Sequence, residues 1–123
     1  MKLKHVSFVC QNIDLIAHFY TSLGFKVEKD ISRPEENLRR LVLKMGESRI
    51  QFFQGQEQQA SPSKSWMEHI ALELDDFDGV IHTLKTTATP FSREPTLSPS
   101  GRRMAFVLDP EGRQVELLEG YGV

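Results

Sequence analysis

The chain repeats itself, and a repeat limits the choice of fold more than any single motif does. His5-Val6-Ser7-Phe8-Val9-Cys10-Gln11-Asn12-Ile13-Asp14 aligns without a gap on His69-Ile70-Ala71-Leu72-Glu73-Leu74-Asp75-Asp76-Phe77-Asp78, 64 residues on, and His18 falls on His82 at the same spacing. Arg39-Arg40-Leu41-Val42-Leu43 matches Arg102-Arg103-Met104-Ala105-Phe106 at a spacing of 63. Ile50-Gln51-Phe52-Phe53-Gln54-Gly55 matches Val115-Glu116-Leu117-Leu118-Glu119-Gly120 at 65. Three matches in one order, differing by single-residue insertions, make the 123-residue chain two copies of one module.

Each module reads as βαβββ. Residues 3–10 alternate as a strand does, and Asn12 and Asp14 then precede a short amphipathic helix that stops at Gly24. Residues 25–29 alternate again. After a polar turn through Ser32–Asn37, segments 38–45 and 48–54 form a hairpin around Gly46-Glu47. The second copy repeats the order with a strand at 68–74, a helix at 77–86, a weak strand near 89–93, and hairpin strands at 102–108 and 113–119. The last pair is joined by Asp109-Pro110-Glu111-Gly112, whose proline and glycine are turn formers. The expected class is α+β: one domain over 1–123, with module one at 1–55, a linker at 56–67 and module two at 68–123. Glu94–Gly101, rich in Pro, Ser and Gly, is expected to be a loop able to move as a lid.

Period two sorts the side chains by face. In Val6-Phe8-Cys10 and Ile70-Leu72-Leu74 the apolar rows form the core side, which leaves His5 and His69 on the other. Gln51 and Glu116 stand likewise opposite Phe52 and Leu117. Two modules related by a pseudo-twofold axis would gather His5, Gln51, His69 and Glu116 toward that axis, and these four form a metal-ligand set. His18 and His82 lie on helices and read as surface or structural residues. Arg40 and Arg103 form a matched pair that suits an anionic substrate if their face is the cavity. Trp66, alone in a polar linker, is a packing anchor or a cap on a pocket.

Composition removes other classes. Fifteen Lys+Arg against 17 Asp+Glu leave a formal charge of −2, too balanced for a nucleic-acid or anionic-membrane partner. A chain of this length buries about 65% of its unfolded surface, enough for a proper core. There is no long apolar run or signal-type start, and the single cysteine, Cys10, excludes an intrachain disulfide and reads as a small buried hydrophobe. The expected compartment is the cytoplasm.

Lys4-His5-Val6-Ser7-Phe8-Val9, Phe19-Tyr20-Thr21-Ser22-Leu23-Gly24-Phe25, Glu68-His69-Ile70-Ala71-Leu72 and Leu108-Asp109-Pro110-Glu111-Gly112-Arg113-Gln114-Val115-Glu116-Leu117 together resemble the vicinal oxygen chelate superfamily. This group holds glyoxalase I, methylmalonyl-CoA epimerase, fosfomycin-resistance thiol transferases, extradiol dioxygenases and bleomycin-resistance proteins. The resemblance covers essentially the whole chain. It implies a curved, cup-shaped mixed sheet with helices outside, a homodimer, and a small-molecule substrate that is anionic or a thiol adduct. It also implies a divalent metal held by His5, Gln51, His69 and Glu116. Two imidazoles, an amide oxygen and a carboxylate suit Ni²⁺, Zn²⁺, Co²⁺, Mn²⁺ or Fe²⁺ without choosing among them.

By resemblance the reaction is that of glyoxalase I, isomerisation of a hemithioacetal through a metal-chelated enediolate, with Glu116 as ligand and base. Two residues depart from that pattern. Gln51 stands where bacterial glyoxalase I has Glu, and Val9 where it has an arginine for a substrate carboxylate. An epimerase would need a carboxylate where Arg40 stands, unless Glu73 replaces it. The alternatives are a fosfomycin-type thiol transferase and a metal-free, drug-sequestering binding protein.

Overall fold

Asn12 opens the first helix: its side-chain oxygen accepts the Leu15 amide at 3.1 Å, satisfying one of the donors that a helix start leaves without an intrahelical partner. Asp76, 64 residues on, does the same for Gly79 at 3.0 Å. The structure, a computed structural model, describes residues 1–55, 62 and 64–120. It divides into two compact units, Met1–Ser61 and Pro62–Val123. Most of the expected linker, residues 56–61 and 63, lies outside the described residues.

The first unit runs β1 (Val6–Val9), α1 (Ile13–Ser22), β2 (Lys26–Arg33), a 3₁₀ turn at Pro34–Glu36, β3 (Leu38–Met45) and β4 (Ser48–Gln54). The second runs β5 (Ile70–Leu74), α2 (Phe77–Thr86), β6 (Phe91–Leu97), β7 (Arg103–Leu108) and β8 (Gln114–Glu119). The sheets have the same order, β1-β4-β3-β2 and β5-β8-β7-β6. In each, the strand that opens the module pairs in parallel with the one that closes it, and the remaining pairs are antiparallel. Each unit is therefore a βαβββ module with a four-stranded mixed sheet. Among the described residues no helix is long and apolar enough to cross a membrane.

Each core lies between helix and sheet. Tyr20, with no exposed surface, meets Phe52 at 5.3 Å and Phe25 edge-on at 5.9 Å, and Leu41, Leu43 and Ile50 are buried on the same sheet face as Phe52. In the second unit Phe77 and Leu84 of the helix are buried, as are Leu72, Ala105, Val107, Val115 and Leu117 of the sheet. Withdrawing one such large side chain from water contributes about 1.5–3 kcal/mol.

Three expectations change. The loop expected at Glu94–Gly101 is strand as far as Leu97, and the remainder is a turn closed by Ser98 N–H to Arg102 O (2.7 Å) and Gly101 N–H to Ser98 O (2.9 Å). No lid remains there. Strand β2 continues four residues past the expected Lys29, to Arg33. The repeat also has a different register. Val42 pairs with Gln51 and Phe106 with Glu116, so Arg39 is equivalent to Arg103 and Arg40 to Met104, at the same spacing of 64 as the two strand-opening histidines. The extra residue of module two falls in the β7–β8 turn.

Candidate functional site

Strand registers decide which side chains meet. In the first unit both Val42 and Ser7 pair with Gln51, so alternation carries His5, Arg40 and Phe53 to the face of Gln51, opposite helix α1. Gln51 is buried. Arg40 Nε donates to its Oε1 at 3.1 Å, and its Nε2 lies 3.0 Å from His5 Nε2. A guanidinium has only donors, so the amide must turn its oxygen to Arg40. The amide N–H then donates to His5 Nε2, and a neutral His5 carries its own proton on Nδ1.

In the second unit the register is set by Asp109, whose side chain is fully buried in the β7–β8 turn. It accepts the amides of Glu111 and Arg113 and an Arg113 guanidinium N–H, at 2.9, 3.0 and 2.7 Å. Gly112 completes the turn at φ +87°, a conformation open to glycine at no steric cost. Glu116 then pairs with both Phe106 and Ala71, and His69, two residues before Ala71, shares their face. His69 Nε2 stands 3.2 Å from Glu116 Oε1, the two side chains being 22% and 14% exposed. The His69 ring also meets Phe106 edge-on at 5.1 Å.

The other nitrogen, His69 Nδ1, lies 2.6 Å from the Trp66 carbonyl oxygen. A carbonyl can only accept, so Nδ1 carries a proton and Nε2 of the neutral ring turns a lone pair toward the carboxylate. Two lone pairs so placed repel unless a proton or cation lies between them. Histidines that bind metals are typically held this way, with the far N–H on a backbone carbonyl or carboxylate. The His69–Glu116 donors fit a divalent metal. In the first unit His5 fits as well, whereas Gln51 offers its oxygen only after leaving Arg40. Among the described residues no three His, Cys, Asp or Glu side chains converge.

Residues 2–117 match the family model described as the Glyoxalase/Bleomycin resistance protein/Dioxygenase superfamily. The chain belongs to this superfamily. It is similar to a glyoxalase family protein from Enterococcus faecalis, at 28% identity and TM-score 0.78, covering 96% of this chain and 97% of that one. It is also similar to the trypanothione-dependent glyoxalase I of Leishmania major, at 25% identity and TM-score 0.73, covering 97% and 86%. Glyoxalase I from Zea mays shares the fold at 21% identity and TM-score 0.79; 95% of this chain aligns with 44% of that one. Comparison with curated proteins gives no match.

Other charged residues of this superfamily member are engaged elsewhere. Arg103 faces the helix side, donating to Asp78 (2.7 Å) and Glu119 (2.7 Å) with its guanidinium 4.8 Å from the Phe77 ring centre. Its equivalent Arg39 grips Asp14 and Asp30. Arg103 therefore does not share the face of Glu116, and the matched pair drawn from the sequence came from an alignment one residue out of register. Glu73 pairs with Arg102. Trp66 is 60% exposed and anchors no core among the described residues; its carbonyl contacts His69. His18 and His82 are exposed and Cys10 is buried.

Arg93 is a residue the sequence did not suggest. It pairs with Phe106 across β6 and β7, and its guanidinium carbon lies 6.0 Å from that ring centre, on the face of His69 and Glu116. The only available signal was alternation, and Pro95 interrupts it.

Proposed function

We propose that this superfamily member is a metal-dependent lyase of the glyoxalase I type, converting the hemithioacetal of a 2-oxoaldehyde into a 2-hydroxythioester. His5, His69 and Glu116 are its metal ligands, joined by Gln51 once its oxygen is free. The observation that carries this reading is the His69 geometry: Nδ1 is tied to the Trp66 carbonyl, and Nε2 is aimed at Glu116. A divalent metal, when bound, supplies Lewis acidity toward two adjacent substrate oxygens. Glu116 takes the proton from the carbon bearing sulfur and returns it to the neighbouring carbonyl carbon, while the hydroxyl proton passes to the other oxygen. Phe106, packed on His69, keeps the ring in place and water away from that edge.

The test is hemithioacetal isomerisation, assayed across Ni²⁺, Zn²⁺ and Mn²⁺, in the parent and Glu116→Gln. A carboxylate that moves the proton is worth about 10²–10⁴-fold, and a loss of that size is expected in Glu116→Gln. Equal activity in parent and variant would overturn the role of Glu116.

One observation favours a second reading, a metal-free protein that sequesters small molecules: the Arg40–Gln51 bond occupies the oxygen that a metal would need. An epimerase is disfavoured because Arg40 stands where its carboxylate is required and Glu73 is paired with Arg102.

A further inference from the structure

Arg40 carries a charge that no carboxylate among the described residues answers. Among the described residues, Arg33, Arg39, Arg49, Arg102, Arg103 and Arg113 each form an ion pair with a carboxylate. Arg40 has none. It is also half-buried, so water alone screens it poorly. Its Nε is committed to Gln51, which fixes the plane of the guanidinium and leaves both terminal NH₂ groups to bond elsewhere.

These groups belong to a side chain that lines a cavity of about 310 Å³, together with Ile31, Arg33, Leu38, Gln51 and Phe53. The volume is at the small end of the range for ligand sites, about 300–1,000 Å³. Ile31, Leu38 and Phe53 supply an apolar wall. Arg33 adds a second cation, whose bond to Glu36 is a loose 3.8 Å surface contact. The free end of one guanidinium matches the two oxygens of one carboxylate. The apolar wall favours an organic carboxylate over inorganic phosphate, which has no apolar body to lay against it.

We propose that this cavity binds the carboxylate of a small organic anion whose apolar body lies against Ile31, Leu38 and Phe53. It deepens the proposed function by making the substrate a carboxylate-bearing adduct, and depends on that function only for the identification of this anion as substrate. The site lies within the first unit and needs no metal. An anion held by the terminal NH₂ groups leaves the Arg40 Nε–Gln51 bond in place.

The experiment is an amide NMR titration of ¹⁵N-labelled, metal-stripped protein with hexanoate, and with hexanamide as a neutral probe of the same shape. Saturable shifts at Arg40, Gln51 and Phe53 are expected, with a Kd on the order of 1 mM and about tenfold weaker binding of hexanamide. Arg40→Met should lose the hexanoate response. Arg49→Met, which removes a partner of Glu28 on the surface, should keep it. If Arg40→Met fails to fold, Arg40→Lys, which keeps the charge without the fork, should bind hexanoate several-fold more weakly than the parent.

Equal binding of hexanoate and hexanamide, an unaltered response in either folded Arg40 variant, tighter binding of inorganic phosphate, or no saturable shift by about 20 mM would each overturn the proposal. Hexanoate binding in a protein that takes up no metal would keep this site and remove the metal-dependent lyase. Metal uptake without hexanoate binding would do the reverse.

Discussion

Gln51 can offer a metal its oxygen only when Arg40 releases that oxygen, and this sets two outcomes that differ in sign. Arg40→Met should tighten Co²⁺ binding, by about tenfold if the freed amide turns and ligates. Gln51→Leu in the parent should change it little, and in the Arg40→Met background should cancel the gain. Calorimetric titration of the four proteins closes the cycle; a loss of affinity in Arg40→Met would show that Gln51 ligates despite Arg40. Trp66→Ala should leave metal affinity within a few-fold, because the carbonyl that holds His69 belongs to the backbone. Strand alternation was enough to put His5 with Gln51, and His69 with Glu116, on one face each. It could not show that an arginine two residues along β3 fixes the amide's direction, or that a backbone carbonyl from an irregular segment holds an imidazole, because neither contact has a period.

Central strands and edge strands were not equally legible. Segments 38–45, 48–54 and 77–86 were read at their observed bounds, since burying one face imposes a strict apolar period. Strands β2 and β6 each end one side of their sheet and are mostly exposed, so their residues carry no such period. Pro95 adds to the difficulty in β6. It has no N–H to give, and an edge tolerates it where the β6–β7 register shifts between Arg93 and Thr96. The repeat register was misread for a related reason. Both modules place Arg-Arg before an apolar run, and the strand pairing shows that Arg39 and Arg103 are equivalents, each tying its helix to its sheet through Asp14 or Asp78.

Those ties have a pH signature. Hydrogen bonds from Arg39 hold Asp30 below the ordinary carboxylate range, and those from Arg103 do the same for Asp78 and Glu119. A depressed carboxylate contributes stability that is complete above its unfolded pKa, about 4, and is lost as pH falls through the folded value. Stability should therefore be flat near neutrality and decline below about pH 4. Arg103→Met should be less stable than the parent at pH 7 and decline less steeply in acid. Urea denaturation from pH 7 to pH 3 would show this, and parallel curves would contradict it. At the helix starts, Asn12→Ala should cost about 1 kcal/mol through loss of its bond to Leu15.

The two modules keep one fold and differ in how the side chain beside the histidine is held. The first unit sets an amide beside a histidine and ties it to Arg40. The second sets a carboxylate beside a histidine, and the residue equivalent to Arg40 is Met104, which has no donor to tie Glu116. Lone pairs are thus free to face a cation in the second unit, while in the first the amide is held by an arginine that also lines an open cavity.

The measurement that tests this account most directly is the metal content of protein purified without an affinity tag, by elemental mass spectrometry, beside His69→Ala. About one divalent metal per site is expected in the parent, with a clear loss in His69→Ala. No metal in the parent, and none taken up on titration, would contradict the metal-dependent reading and leave the small-molecule-sequestering protein in its place.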